Sequence, residues 1–119
     1  MQNLNQIRAR HVLEFSQFSS IKGINGGEVI KKISPVMMNN GLLAVLAYSM
    51  DERNVAWRKV FDGIAVHLAS VEIGIIPTSC TSANALLEYL SQDGVSSNIL
   101  RLATAEAAAW LNFARRLVR

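Results

Sequence analysis

The side chains able to perform acid–base or covalent chemistry are few in this chain and widely separated. His11 and His67 are its two histidines, and Cys80 is its single cysteine. Neither histidine stands at a metal-ligand spacing from a cysteine or carboxylate, and a general base also needs positioned partners. No basic residue adjoins Cys80 in sequence to favour its thiolate form. We therefore predict no catalytic residue, no bound metal and no cofactor.

A glycine-rich stretch, residues 23–27, invites comparison with a phosphate-binding loop. It lacks the Lys-Ser/Thr pair of a P-loop, no strand precedes it, and Glu28 would repel a phosphate. The stretch is therefore interpreted as a flexible connection between helices.

Charge is unevenly distributed along the chain, whose total is +3. Residues 1–34 and 96–119 each carry a net charge of +3, whereas residues 71–95 carry −3. If the first and last helices pack side by side, they form one basic surface and leave an acidic one elsewhere. A molecule with two such poles can bind a polyanion on one side and protein on another. Basic pairs such as Lys31-Lys32 and Arg115-Arg116 are either ordinary solvated surface or contacts to the phosphates of a polyanion. Because no aromatic-rich RNA motif is present, they are not expected to read bases.

The element that positions these residues is the apolar stretch Pro35–Tyr48. It is rich in Leu, Ala and Met, which favour helix, and no charge follows until Asp51. A helix apolar on nearly every side is expected to be buried on nearly every side. The stretch is too short to span a bilayer. We predict an all-α, compact, single-domain bundle over residues 1–119, with about five to seven helices around a buried central helix.

Start and stop signals place the other helices. A first helix is predicted over Leu4–Phe18, and a short one over Glu28–Ile33 that ends at Ser34-Pro35. Capping residues predict further helices from Asp51 or Asn54 to Val71, from Thr81 or Ser82 to Asp93-Gly94, from Ser96 or Ser97 to Leu102, and from Thr104 to the end.

Spacing also predicts which side chains form the core. The residues Trp57, Phe61, Ile64, Leu68 and Val71 recur at intervals of four and three, as on the buried face of a helix. Trp110 is interpreted as core as well, whereas Glu106 is expected in the first turn of the last helix. Asn40 must find hydrogen-bond partners within its apolar run or face a partner molecule, and Asn112 poses the same choice.

Three segments resemble one protein family. They are the run Lys31–Leu43 continuing into Leu46-Ala47-Tyr48, the segment Arg8-Ala9-Arg10 with Val12, and Thr104–Ala107 leading to Leu111-Asn112-Phe113 and Arg115-Arg116. The chain resembles the small helical subunit of the type III-B (Cmr) CRISPR RNA-guided effector complex. The middle, from Asp51 to Val95, has no matching motif.

The resemblance implies a non-catalytic structural subunit that acts in antiviral defence. Several copies would stack in the inner filament of the complex and help hold guide RNA and target RNA. The partners implied are the backbone ribonuclease subunit, the large subunit and further copies of the chain itself, with no membrane. Charge and resemblance together indicate seven candidate RNA-binding residues: Lys31, Lys32, Arg115, Arg116, Arg8, Arg10 and Arg101.

A single cysteine excludes an internal disulfide and fits a reducing compartment, and the N-terminal residues resemble neither a signal peptide nor an anchor. The expected location is the cytoplasm. Two alternatives remain on sequence grounds. One is a stand-alone helical homodimer or adaptor, and the other is a helix-turn-helix DNA-binding regulator, which the apolar character of the candidate second helices disfavours.

Overall fold

The computed structural model describes residues 3–18, 23–51 and 54–117, which fold into five α-helices. No β-strand occurs in those ranges. The helices are α1 (Leu4–Phe18), α2 (Gly23–Tyr48), α3 (Val55–Ala69), α4 (Ala83–Leu90) and α5 (Ser97–Leu117). The all-α prediction is confirmed.

Helices α1 and α4 begin where local signals predict. At α1, the Asn3 side chain accepts the Gln6 amide at 2.8 Å, and the Gln6 side chain accepts the Asn3 amide at 2.9 Å. This reciprocal pairing is a capping box, which satisfies two otherwise unpaired donors. At α4, Ser82 Oγ accepts the Ala85 amide at 3.1 Å. Each start is therefore specified within four residues of sequence.

Helix α2 (Gly23–Tyr48) differs from the prediction because it runs through residues 23–27 and through Pro35 without a break and is kinked at Gly41. The predicted connection at residues 23–27 and the predicted break at Ser34-Pro35 are both wrong. Its irregularity lies instead at Gly41, where φ is 83° and ψ is 163°. That conformation is essentially restricted to glycine. The residue of α2 with non-helical backbone angles is therefore Gly41 and not Pro35.

Helix α2 is central, because it packs against α3, α4 and α5. Its burial, however, is one-sided. The buried face consists of Ile30, Ile33, Met37, Leu42, Val45 and Leu46. The other face is open to solvent, with Met38 69% exposed and Tyr48 57% exposed. Burial on nearly every side was therefore the wrong expectation for this apolar stretch.

Helix α5 is also longer than predicted, since it runs unbroken through Thr104. The predicted cap at Ser96 is confirmed, with Ser96 Oγ accepting the Ile99 amide at 3.2 Å. Thr104 lies within the helix and does not cap it. Its hydroxyl donates to the Leu100 carbonyl at 2.8 Å and accepts the Leu42 amide at 3.3 Å, just after the kink at Gly41. Thr104 therefore joins α5 to the bend in α2.

The core stripe of α3 is buried as predicted at Phe61, Ile64 and Leu68. Trp57 is partly buried against the core, while Val71 lies beyond the helix and is 88% exposed. The stripe was therefore predicted one turn too long.

Helix α1 packs against α5 and α3. Phe15 of α1 lies over Gly63 of α3, where an added Cβ would stand only 2.4 Å from the Phe15 ring. The same ring meets the fully buried Trp110 of α5 edge-on, with ring centroids 5.2 Å apart. One aromatic side chain thus joins all three helices.

Candidate nucleic-acid interface

Five of the seven predicted RNA-binding residues are exposed on two helices that pack together. Lys31 and Lys32 lie on α2, and Arg101, Arg115 and Arg116 lie on α5. Arg101 donates to the neighbouring Asn98 side chain at 2.9 Å. These cationic side chains are exposed to solvent and are therefore accessible to a polyanion.

Arg8 has a different environment. Its guanidinium forms two hydrogen bonds of 2.7 Å with the two carboxylate oxygens of Glu106 on α5. The Arg8 side chain is 18% exposed and that of Glu106 is 8% exposed. A planar fork-to-fork pair of this kind is among the strongest hydrogen-bonded contacts between side chains. Arg8 thus attaches α1 to α5.

Arg10 lies two residues further along α1 and also pairs with a carboxylate. It donates to Glu72, which follows the C-terminus of α3. Its Nε lies 3.9 Å from Glu14 on its own helix. Both arginines of the Arg8-Ala9-Arg10 segment therefore contact carboxylates of this chain.

The two histidines meet each other between these ion pairs. His11 Nδ1 on α1 lies 2.7 Å from His67 Nδ1 on α3. On the far side of each ring, His67 Nε2 lies 2.8 Å from Glu106 Oε2, and His11 Nε2 lies 3.2 Å from Glu72 Oε1. The polar groups form one continuous chain, here named the histidine cluster, consisting of Arg8, Glu106, His67, His11, Glu72 and Arg10.

Glu106 is the buried anion of the histidine cluster. Burial by itself would raise its pKa, but the hydrogen bonds from Arg8 and His67 outweigh burial and hold the pKa at about 2. The side chain is therefore ionised at neutral pH. Our expectation that Glu106 serves the first turn of a helix is wrong, because it lies in the middle of α5.

Sequence analysis missed the histidine cluster because its members are far apart in the chain. Arg8 and Glu106 are separated by 98 positions, and the two histidines by 56. One local signal was present. Glu106 is the only charged residue between Arg101 and Arg115, and a lone carboxylate in an alanine-rich, core-facing helix requires a buried partner.

An apolar groove of about 660 Å³ lies where α5 passes the kink of α2. Met37, Met38 and Leu43 line one side, with Leu100 and Ala108 on the other. Asn40 also lines the groove and donates to the Val36 carbonyl of its own helix at 3.2 Å. The amide of Asn40 is thus satisfied locally, and Asn112 is exposed.

The described residues contain neither a metal-binding cluster nor a membrane-spanning helix. No group of three or more His, Cys, Asp or Glu side chains among them could hold a metal ion. None of the helices they form is both long and apolar enough to cross a membrane.

Comparison with known proteins identifies the family. A search of curated proteins and a search of solved structures each gave no match. The family model described as CRISPR-associated protein (Cas_Cmr5) matches residues 4–119, which is nearly the whole chain. The match includes the segment from Asp51 to Val95 in which no motif was recognised. The chain belongs to the Cas_Cmr5 family, and it is a subunit of the Cmr complex of type III-B CRISPR systems.

Proposed function

We propose that this chain is a non-catalytic structural subunit whose copies stack in the inner filament of the Cmr complex and help hold guide RNA and target RNA. Its neighbours there are the backbone ribonuclease subunit, the large subunit and further copies of the chain. The complex acts in antiviral defence in the cytoplasm. The observation that carries the proposal is the exposed set of cations on α2 and α5.

The seven predicted cations divide into two groups by their contacts. Lys31, Lys32, Arg115 and Arg116 are exposed and form no ion pair with another described residue. Arg8 and Arg10 contact internal carboxylates, so much of their positive charge is compensated within the protein. We assign the phosphate contacts to these four exposed residues and to Arg101. Arg8 and Arg10 instead stabilise the packing of α1.

Stacking is supported by exposed groups of opposite charge on different elements of the fold. Glu88 on α4 and Asp93 in the turn after it are exposed, and they lie on different elements from the exposed cations. A surface that carries one sign in one place and the other sign elsewhere favours head-to-tail contact between copies. Head-to-tail contacts that do not close into a ring generate filaments.

A reconstituted Cmr complex provides the test. The change is the quadruple substitution Lys31→Ala, Lys32→Ala, Arg115→Ala and Arg116→Ala. Removal of each phosphate contact should reduce the slope of log affinity against log salt by about 0.7–0.9, since fewer counterions are released. The loss of affinity should be similar for two unrelated guide–target pairs, because phosphates carry no sequence information.

The matched control keeps the charge and changes the side chain, through Lys31→Arg, Lys32→Arg, Arg115→Lys and Arg116→Lys. This variant should retain the wild-type affinity and salt slope. Assembly of both variants is measured first. If the alanine variant assembles normally and binds target RNA with unchanged affinity and salt slope, the assignment of the RNA surface is wrong.

A further inference from the structure

The two histidines of the cluster present a problem of proton counting. A carboxylate only accepts hydrogen bonds, so His67 Nε2 must carry a proton to bond Glu106, and His11 Nε2 must carry one to bond Glu72. A third proton must lie between the two Nδ1 atoms, which are 2.7 Å apart. Two neutral imidazole rings supply only two protons between them.

We propose that His11 and His67 bind one extra proton as a pair, and that this shared charge is a pH-sensitive clamp that seats α1 against α3 and α5. With three ring protons, each contact of the two histidine rings in the histidine cluster is a hydrogen bond. With two ring protons, one contact lacks its proton. Either an unprotonated Nε2 faces a carboxylate, or the two unprotonated Nδ1 atoms face each other. With four, two N–H groups point at each other across the 2.7 Å contact.

The charged groups around the pair come from every element packed there: Arg8, Arg10 and Glu14 from α1, Glu72 from the loop after α3, and Glu106 from α5. Within the histidine cluster the two guanidinium groups balance the two carboxylates, so the extra proton gives the cluster a charge of +1. The exposed carboxylate of Glu14 lies nearby, 3.9 Å from Arg10 Nε.

The environments of the two rings indicate where the extra proton lies. His67 is fully buried at the side chain, whereas His11 is 12% exposed and lies beside Glu72 at the surface. Burial lowers the pKa of His67 in spite of its bond to Glu106. Solvent access and the adjacent Glu72 carboxylate therefore favour His11 as the doubly protonated ring, with His67 accepting at Nδ1 and donating from Nε2 to Glu106.

The clamp predicts a maximum in stability with pH. At alkaline pH the folded protein would hold a proton that the unfolded chain has released, so stability falls as the pH rises. At acid pH a second proton is forced onto the buried His67, whose pKa is lowered in the fold, so stability falls as the pH decreases. Histidine changes charge between about pH 5 and 8. Both falling sides of the stability–pH curve, here called its acid limb and its alkaline limb, therefore lie in an accessible pH range.

Two measurements on the purified full chain test the clamp. Urea unfolding from about pH 5 to 9 should show the folding equilibrium constant falling by up to about tenfold per pH unit on the alkaline limb. Nitrogen-15 NMR of the histidine rings near the stability maximum should show both His11 nitrogens protonated and only Nε2 of His67 protonated. Two neutral rings there, or a flat alkaline limb, would overturn the proposal.

The substitution Glu72→Gln separates the clamp from a merely structural contact. A glutamine amide can donate to the bare Nε2 of a neutral His11 while its oxygen still accepts from Arg10. The alkaline limb should therefore disappear in this variant. The matched control is Glu88→Gln, an exposed glutamate on α4 outside the cluster, which should retain the limb. An alkaline limb that persists unchanged in Glu72→Gln would overturn the proposal as well.

Discussion

At the scale of single residues, the structure depends on polar and glycine positions whose partners lie elsewhere in the chain. Gly41 adopts a backbone conformation that other residues rarely reach, and the amide that follows it bonds Thr104 of α5. Glu106 is a buried carboxylate whose charge is stabilised by Arg8 and His67. Neither role is visible within a window of a few residues.

Gly41→Ala should destabilise the protein by about 1–3 kcal/mol, the usual cost of a non-glycine residue in a sparsely populated backbone region. A new Cβ there would meet open space, so strain alone would account for the loss. Urea unfolding measures it. Gly94→Ala is the control, because a Cβ at Gly94 would also meet open space and its φ is not positive. Equal stabilities for the two variants would contradict a strained kink.

The ionised state of Glu106 should stabilise the fold at neutral pH. Its pKa is about 2 when folded, against an ordinary 4.5, so this stabilisation is complete above about pH 4.5 and is lost as the pH falls towards 2. Glu106→Gln removes this carboxylate and leaves Arg8 without its counter-charge. Circular dichroism melts should show a lower midpoint for this variant at pH 7 and a smaller loss on acidification below pH 4.5. If the Glu106→Gln variant loses as much thermal stability below pH 4.5 as the wild type, other carboxylates cause that loss.

At the scale of elements, sequence predicted what local signals specify and failed where tertiary contacts decide. The start of α1 follows from Asn3 and Gln6, and the start of α4 from Ser82, so both were predictable. The continuity of α2 through Pro35 and of α5 through Thr104 depends on packing between those helices, which no cap encodes. The exposed cations were predictable from charge segregation, whereas the internal pairing of Arg8 was not.

Packing of α1 should be sensitive to Gly63, because a Cβ there would overlap the Phe15 ring. Gly63→Ala should cost about 1–3 kcal/mol through overpacking. In a Phe15→Ala background the overlap is gone, and the same substitution should become neutral or stabilising by up to about 1 kcal/mol, as Gly to Ala within a helix usually is. A double-mutant cycle in urea measures this change of sign. Additive effects would show that the two residues do not interact.

At the scale of the whole molecule, the exposed candidate RNA-binding cations and two exposed acidic residues lie on different elements. The cations lie on α2 and α5, and Glu88 and Asp93 lie on α4 and the turn after it. Exposed apolar side chains of α2, among them Met38 and Tyr48, are available for contact with protein. This arrangement fits a subunit that has different neighbours on different sides.

Reversal of the acidic group should weaken contact between neighbouring copies. In a reconstituted complex, Glu88→Lys with Asp93→Lys should reduce the number of copies incorporated, measured by native mass spectrometry, because like charges would then meet. Neutralisation by Glu88→Gln with Asp93→Asn should have a smaller effect in the same direction. Added salt should narrow the difference between the variants. Full incorporation of the charge-reversed variant at low salt would show that Glu88 and Asp93 contact no cationic neighbour.

The docking of α1 on α5 has a consequence for the synthesis of the protein. Helix α1 leaves the ribosome well before α5, the helix that holds it through an ion pair spanning 98 positions. At about 5–20 residues per second, several seconds separate the appearance of Arg8 from that of Glu106. During that interval Phe15 and the buried Val12 have no α5 to cover them. During synthesis α1 therefore carries apolar side chains that only a helix made later can cover.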